Sequence, residues 1–179
     1  MLILALCICF LSSCAANKMY ELHPIDGHYV RQGARLRWKE EFPARPLSQA
    51  FYFTSSPEAV SIELKAYRVV DGKSETLLDG GISIGQERKP VSQLTGRLYI
   101  ETMDGLVHVV IDCSGLTEYT IEPGDSFVEE SLDTHFLDAS QSIEMNQEVP
   151  LCTFSYSTDA DGGKEQTLVI AVRFVGSAF

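Results

Sequence analysis

The feature of this sequence that most limits its fold is a series of short segments with alternating polarity, separated by glycine, proline and aspartate. Residues 60–69 place an apolar residue at nearly every second position, which is typical of a strand with one buried face. Residues 97–102 and 106–113 flank the pair Asp104-Gly105, which favours the tight turn of a β-hairpin. These segments predict antiparallel strands.

Two further strand-like segments, 150–157 and 167–175, predict a last hairpin near the end of the sequence. Residues 169–175, VIAVRFV, are almost all apolar, so we expect this strand near the centre of a sheet with both faces largely covered. Many short strands separated by turns predict a mainly β fold. The expected architecture is a two-sheet antiparallel β-sandwich of about seven to nine strands.

Earlier in the chain the strand signals are weaker. Residues 29–30 and 36–38 are short candidate strands on either side of a turn at Gly33. Two prolines then interrupt regular structure, since proline lacks the backbone donor that a ladder needs. Residues 47–53 fit either a short helix or a strand.

One helix is predicted, over about 126–138. Ser126 and Glu129 have the spacing of a capping box, in which each side chain bonds a backbone amide near the helix start. Apolar residues at four-residue steps would line one face of this helix: Val128, Leu132 and Phe136. We expect this helix to lie over an open end or a face of the sheets.

The N-terminus carries a different pattern. Residues 2–11 form an apolar run about as long as a signal-peptide core and too short to span a bilayer as a helix. The run ends in Leu11-Ser12-Ser13-Cys14, which resembles the lipobox of bacterial lipoproteins. This resemblance implies that the thiol of Cys14 carries lipid. Each buried methylene of an acyl chain contributes roughly 0.8 kcal/mol, so such a lipid would anchor the domain to a membrane.

The resemblance also implies a division of the chain: a signal peptide (1–13), a lipidated tether (14–19) and one β-sandwich domain (20–179). Ala15 stands where an aspartate would imply retention in the inner membrane, so outer-membrane sorting, with the domain facing the periplasm, is implied. No basic residue precedes the apolar run, whereas a signal peptide normally carries positive charge at this position. An ordinary secretory signal cleaved near Ala16 is the alternative.

Charge is unevenly distributed along the sequence. The formal net charge is −11, and residues 101–165 contain fifteen acidic residues and one basic residue. Nucleic acid is therefore a poor partner, since phosphate contacts need clustered lysine and arginine. The acidic half suits a cationic partner or bound cations, or it forms a soluble surface without a specific partner.

Two cysteines, Cys113 and Cys152, would remain in the exported domain besides the lipid site. Each lies in or beside a strand-like segment, so a disulfide between neighbouring strands is predicted. Two buried thiols packed as small apolar groups are the alternative.

Metal-binding patterns are weak, and no metal or other cofactor is predicted beyond the lipid on Cys14. His23, Asp26 and His28 could surround zinc or copper if their turn folds back. A loose calcium loop is the other weak candidate, with carboxylates from three residues: Asp159, Asp161 and Glu165. Surface turns explain both groups without a metal.

Catalytic patterns are equally weak. Gly124-Asp125-Ser126 resembles the nucleophile block of the GDSL hydrolases, with Asp133 and His135 as imaginable partners. That family separates the two blocks widely in an α/β domain, and here they are close together in a β-rich chain. A triad of His108, Asp112 and Ser126 would place two members on one strand. We therefore expect no enzyme.

Taken together, the sequence predicts a membrane-anchored envelope lipoprotein, non-enzymatic, that binds another envelope protein as an accessory component of an assembly. Its partners would be the lipid membrane and an envelope protein. The alternative is a ligand- or cation-binding module, or an immunity-type inhibitor that uses the acidic half, residues 101–165.

Overall fold

The fold is taken from a computed structural model. It describes residues 20–40, 47–83, 94–113, 115–124, 127, 131–158 and 163–177. The predicted signal peptide and tether, including Cys14, lie outside these residues. Over the part of the chain that is described, no helix has the length and apolar composition needed to cross a membrane.

Thirteen strands, numbered in chain order, form three antiparallel sheets over the described residues. The six-stranded sheet contains, in spatial order, β11 (Gln141–Ser142), β1 (Glu21–Ile25), β4 (Ser48–Thr54), β7 (Thr95–Met103), β8 (Leu106–Asp112) and β9 (Leu116–Ile121). The five-stranded sheet contains β10 (Asp133–Phe136), β12 (Glu148–Thr158), β13 (Lys164–Val175), β5 (Ser61–Val70) and β6 (Lys73–Ser83). A separate hairpin consists of β2 (His28–Gln32) and β3 (Arg35–Lys39).

The two large sheets pack face to face around one apolar core, which confirms the predicted β-sandwich with more strands than expected. Alternate residues of each strand point inward, because successive side chains of a strand face opposite sides. The largest core side chains are completely buried: Phe51, Phe53, Leu98, Ile100, Phe154 and Phe174. Phe53 and Phe174 join the sheets directly, with ring centres 5.3 Å apart.

The strand that was expected at the centre of a sheet is β13. It is the middle strand of the five-stranded sheet, between β12 and β5. Val169 and Ala171, which point away from the core, are nevertheless buried, so both faces of this strand are covered. The hairpin β7–β8 also matches its prediction, and Asp104 and Gly105 take the positive φ angles (56° and 75°) that its turn requires.

An edge of the sandwich is protected by a tyrosine. Tyr119 on β9 reaches the edge strand β6 of the other sheet, where its hydroxyl donates to the carbonyl of Gly81 at 2.6 Å and accepts from the Gly81 amide at 3.0 Å. A side chain at Gly80 would meet the Tyr119 ring at 2.9 Å. The hydroxyl therefore satisfies two backbone groups that would otherwise offer a pairing site to another chain.

The predicted helix over 126–138 is wrong across its second half. Asp133–Phe136 is the edge strand β10, paired with β12, and the Leu137 amide continues the pairing to the Leu151 carbonyl at 2.8 Å. Thr134 and Phe136 are half-buried while Asp133 and His135 are exposed, so the burial has the period of a strand. Ser126 and residues 128–130 of this prediction lie outside the described residues.

The predicted disulfide is also wrong. Cys113 follows β8 in the six-stranded sheet and Cys152 lies in β12 of the five-stranded sheet, so the two are not on neighbouring strands. Among the described residues both remain thiols. Cys152 is part of the core, and burial raises the pKa of its thiol well above the ordinary value.

Candidate functional site

The hairpin β2–β3 covers the outer face of the six-stranded sheet. Tyr29 from the hairpin is buried together with three residues that point outward from that sheet: Ala50, Tyr99 and Val110. Leu36 and Trp38 add to this second apolar cluster. Within the described residues, the hairpin therefore forms a third layer on the outer side of the six-stranded sheet.

A row of outward-pointing side chains crosses the sheet beside this hairpin. Residues that lie opposite each other in antiparallel strands project from the same face. The register aligns one residue from each of five strands: His23, Tyr52, Arg97, Asp112 and Leu116. This row brings together an imidazole, a phenol, a guanidinium and a carboxylate from distant parts of the sequence.

A partly buried hydrogen bond holds the hairpin against this row. The hydroxyl of Tyr29 donates to Oδ2 of Asp112 at 2.5 Å. Burial, and next the bond to the Asp112 carboxylate, raises the pKa of Tyr29 far above its ordinary value, so the phenol stays protonated. Arg97 also faces Asp112, with Nη1 3.7 Å from Oδ2.

Trp38 forms the wall where the hairpin meets the row. The Arg97 guanidinium lies 4.9 Å from the centre of the indole, and the Tyr29 ring packs edge-on at 5.2 Å. Gly27 makes this position possible, because a Cβ there would approach Trp38 to 2.1 Å. Gly27 also has a φ of +130°, a conformation that other residues rarely adopt.

The far end of the hairpin is fixed by an ion pair. Arg31 donates through Nη2 to both carboxylate oxygens of Glu118 on β9. The arginine side chain is 54% exposed, so this pair sets the position of the hairpin more than it stabilises the fold.

A cleft of about 340 Å³ opens between the hairpin and the sheet. It is lined by His23, Ile25, Asp26, Trp38, Glu40, Tyr52 and Arg97. Its size lies at the lower end of the range of ligand pockets, about 300–1,000 Å³. The rings of His23 and Tyr52 form the floor, with centres 5.7 Å apart.

The charged groups of the cleft are not balanced within the described part of the chain. Arg97 is matched by Asp112. Asp26 and Glu40 are exposed, and neither forms a hydrogen bond or ion pair with any described residue. The cleft therefore combines aromatic surface with two carboxylates that remain available.

The structure brings together part of one predicted group. His23 and Asp26 line the cleft, but His28 lies opposite Lys39 on the hairpin. No three potential metal ligands come together among the described residues. Glu165 lies opposite Ser157 near the start of β13, while Asp159 and Asp161 lie outside the described residues.

The candidate catalytic residues that lie within the described part of the chain form contacts other than those of a catalytic triad. His135 and Asp133 form an exposed pair at 3.3 Å on the edge strand β10. His108 lies 3.3 Å from the Thr120 hydroxyl, while Asp112 is held by Tyr29. Asp125 and Ser126 lie outside the described residues.

A second depression, of about 320 Å³, lies in the acidic half of the chain. It is lined by Asp104, Gly105, Leu106, Glu122, Gly124 and Phe127. The Phe127 ring packs edge-on against Phe154 and Tyr156, which closes the base of the depression. Among the described residues, its two carboxylates come from Asp104 and Glu122, and Phe127 is its one aromatic lining residue, whereas His23, Trp38 and Tyr52 all line the first cleft.

Trp38, Tyr52 and Arg97 carry no local sequence pattern that predicts a binding role. Each lies on a strand whose alternation indicates an outward side chain, but alternation does not say which strands become neighbours. The one available signal was the cluster of histidine and aspartate in residues 23–28. No protein-family model, curated protein or solved structure matches this chain.

Proposed function

We propose that this chain is a non-enzymatic, membrane-anchored binding protein of the cell envelope. Lipid on Cys14 would hold it at a membrane, as the lipobox-like segment implies. The cleft beside the hairpin would receive a lysine or arginine side chain from a partner protein. This is the accessory role in an envelope assembly that the sequence favours.

The observation that carries the proposal is the pairing of free carboxylates with aromatic surface in one cleft. Asp26 and Glu40 would accept charge-assisted hydrogen bonds from a cationic side chain. The rings of Tyr52 and Trp38 offer apolar surface to its methylene stem and a favourable quadrupole to its charge.

The protein already contains one arrangement of this kind. Arg97 lies over the Trp38 indole and faces the Asp112 carboxylate, which is the chemistry proposed for the incoming residue. That internal guanidinium does not neutralise Asp26 or Glu40.

The framework of the cleft is suited to binding without rearrangement. His23, Tyr52 and Arg97 project from adjacent paired strands, and Trp38 is wedged against Gly27. Side chains that are held before binding lose less conformational freedom when the ligand arrives.

Photo-crosslinking in native envelopes tests the proposal. A photoreactive phenylalanine analogue at position 52 would lie in the cleft, and the same analogue at position 153 would lie on the outer face of the five-stranded sheet. We expect a discrete protein adduct from position 52 only, and this adduct should be lost in the Asp26→Asn/Glu40→Gln background. Asp79→Asn is the control, because Asp79 is an exposed carboxylate on the edge strand β6 outside the cleft, and it should leave the adduct in place. Equal adducts at both positions, or none at position 52, would contradict it.

The anchor is tested separately. Cys14→Ser should abolish incorporation of labelled fatty acid and release the domain from membranes. Labelling that persists in this variant would contradict the lipidation, while leaving the binding role of the cleft open to the crosslinking experiment.

A second candidate role uses the acidic depression around Asp104 and Glu122. There the chain would bind a cation or block a basic protein, as the charge of residues 101–165 suggests. This role predicts that Asp104→Asn/Glu122→Gln, and not Asp26→Asn/Glu40→Gln, removes the partner.

A further inference from the structure

The hairpin has a second face, turned away from the sheet. Tyr29, Leu36 and Trp38 point toward the sheet, so the residues between them point outward. On β3 these are Arg35, Arg37 and Lys39, and all three are exposed. We call these three residues the basic face.

The basic face differs from nearly all other cations of the described chain. Six other basic residues have a carboxylate partner: Arg31, Lys65, Arg68, Arg97, Lys164 and Arg173. Arg35, Arg37 and Lys39 form no ion pair or hydrogen bond with another described residue through their side chains. Three uncompensated positive charges are thus gathered on one short strand of a chain whose net charge is −11.

The position of this face in the chain matters as well. Cys14 precedes Tyr20, the first described residue, by six residues, which can span at most about 20 Å. Strand β1 follows at once, and the hairpin begins at His28. A lipid on Cys14 would therefore keep the basic face close to the membrane surface.

We propose that the basic face docks onto an anionic lipid surface and so fixes the orientation of the domain at the membrane. This surface is separate from the cleft, because the cleft-lining residues Trp38, on β3, and Glu40, directly after it, alternate in sequence with the basic residues. The proposal uses the anchor only for proximity, and it goes beyond the binding role of the cleft.

The expected strength follows from simple electrostatics. A basic residue near an anionic bilayer favours the docked state about fivefold, so three favour it about a hundredfold. The attraction acts within a Debye length, about 10 Å at 0.1 M salt, and should therefore disappear in concentrated salt.

Trp38 is the only tryptophan of the chain and lies on the docking hairpin, so its fluorescence reports the event. The full chain is reconstituted into vesicles of phosphatidylcholine with or without phosphatidylglycerol, both containing a headgroup spin label. We expect strong quenching of Trp38 in the anionic vesicles at low salt. Quenching should fall to the level of neutral vesicles in high salt or in Arg35→Gln/Arg37→Gln/Lys39→Gln.

Lys73→Gln is the matched control, because Lys73 is also exposed and unpaired among the described residues but lies on the edge strand β6. It should leave the quenching unchanged. The emission of Trp38 without vesicles shows whether the triple variant is folded. If it is not, the single variant Arg37→Gln replaces it, and we expect this variant to weaken docking about fivefold.

The outcomes separate this proposal from that of the anchor. Flotation with neutral vesicles reports the lipid anchor alone, and its failure would contradict lipidation without touching the basic face. Equal quenching in neutral and anionic vesicles, or quenching that survives the triple substitution, would overturn docking. Without an anchor, flotation with anionic vesicles that the triple substitution abolishes would still support it.

Discussion

The outer faces of the two large sheets are shielded from solvent in different ways. On the six-stranded sheet, outward residues such as Tyr99 and Val110 are apolar and are covered by the separate hairpin β2–β3. On the five-stranded sheet, long polar side chains cover the face themselves. Lys65 lies 3.9 Å from Glu148, and Arg173 donates to Glu63 through two of its nitrogens.

This difference explains where a cleft can form. Side chains that lie flat over their own sheet close the surface, as shown by Ala171, which points outward and is completely buried. A separate layer has borders, and at the border near Trp38 the sheet row and the hairpin enclose free space. The cleft therefore lies at the border of the covered face, whereas polar side chains close the surface of the other face.

The largest effect should come from Gly27→Ala. Its Cβ would lie 2.1 Å from Trp38 and 2.9 Å from the Lys39 carbonyl oxygen, at a φ of +130°. We expect the free energy of unfolding to fall by about 3 kcal/mol, because the hairpin must shift and the backbone is strained. Urea denaturation followed by Trp38 fluorescence measures this loss.

Gly33→Ala is its control, since Gly33 also has a positive φ but no atom lies within 4 Å of the added Cβ. It should cost about 1 kcal/mol and leave the emission of folded Trp38 unchanged. Equal losses for the two variants would show that the contact with Trp38 does not hold the hairpin in place.

A smaller effect is expected from Tyr29→Phe, about 2 kcal/mol, because the Asp112 carboxylate loses its buried donor. The corresponding change on the other face is Tyr67→Phe, which removes the interaction of the half-buried Tyr67 hydroxyl with the Glu148 carboxylate and should cost about 0.5 kcal/mol. Thermal or urea unfolding compares the two. A larger loss for Tyr67→Phe would reverse the proposed difference between the faces.

The same tyrosine predicts a dependence on alkaline pH. The pKa of Tyr29 is raised by burial and by its bond to Asp112, so its contribution to stability is complete below the unfolded pKa of about 10. That contribution should be lost progressively as the pH rises above 10. Unfolding free energies measured across this range should fall less steeply in Tyr29→Phe than in the unchanged protein.

The smallest effects concern the ion pairs of the two faces. Glu63→Gln should cost about 1 kcal/mol, because Glu63 is only 16% exposed and accepts two donors from Arg173. Arg31→Gln should cost less, since its pair with Glu118 is largely in solvent. The difference between these two losses of stability should vanish in concentrated salt, and urea denaturation at low and high salt measures it.

How much of this could be predicted from the sequence depends on the range of the interaction. Alternation and turn residues predicted β5, the β7–β8 hairpin and the central position of β13, because these depend on neighbouring residues. The short strands around Gly33 were predicted, but not that their hairpin would cover the outer face of the six-stranded sheet.

The errors have a common physical origin. Residues 133–136 have apolar neighbours at helical spacing, which favours a helix. Their backbone instead forms strand hydrogen bonds with β12, and this tertiary pairing overrides the local preference. The disulfide prediction was wrong because the sequence does not show that Cys113 and Cys152 belong to different sheets. The cleft was missed for the same reason, since its floor joins His23, Tyr52 and Arg97 through register alone.

We propose that a cationic side chain binds in the cleft and not in the acidic depression. An NMR titration of the intact chain with Nα-acetyl-arginine amide tests it most directly, with Nα-acetyl-glutamine amide as the neutral control. We expect chemical-shift changes at the backbone amides of His23, Tyr52 and Arg97 with the arginine compound only, and Asp26→Asn/Glu40→Gln should abolish them. Shifts centred on Asp104 and Glu122, or equal shifts with both compounds, would contradict it.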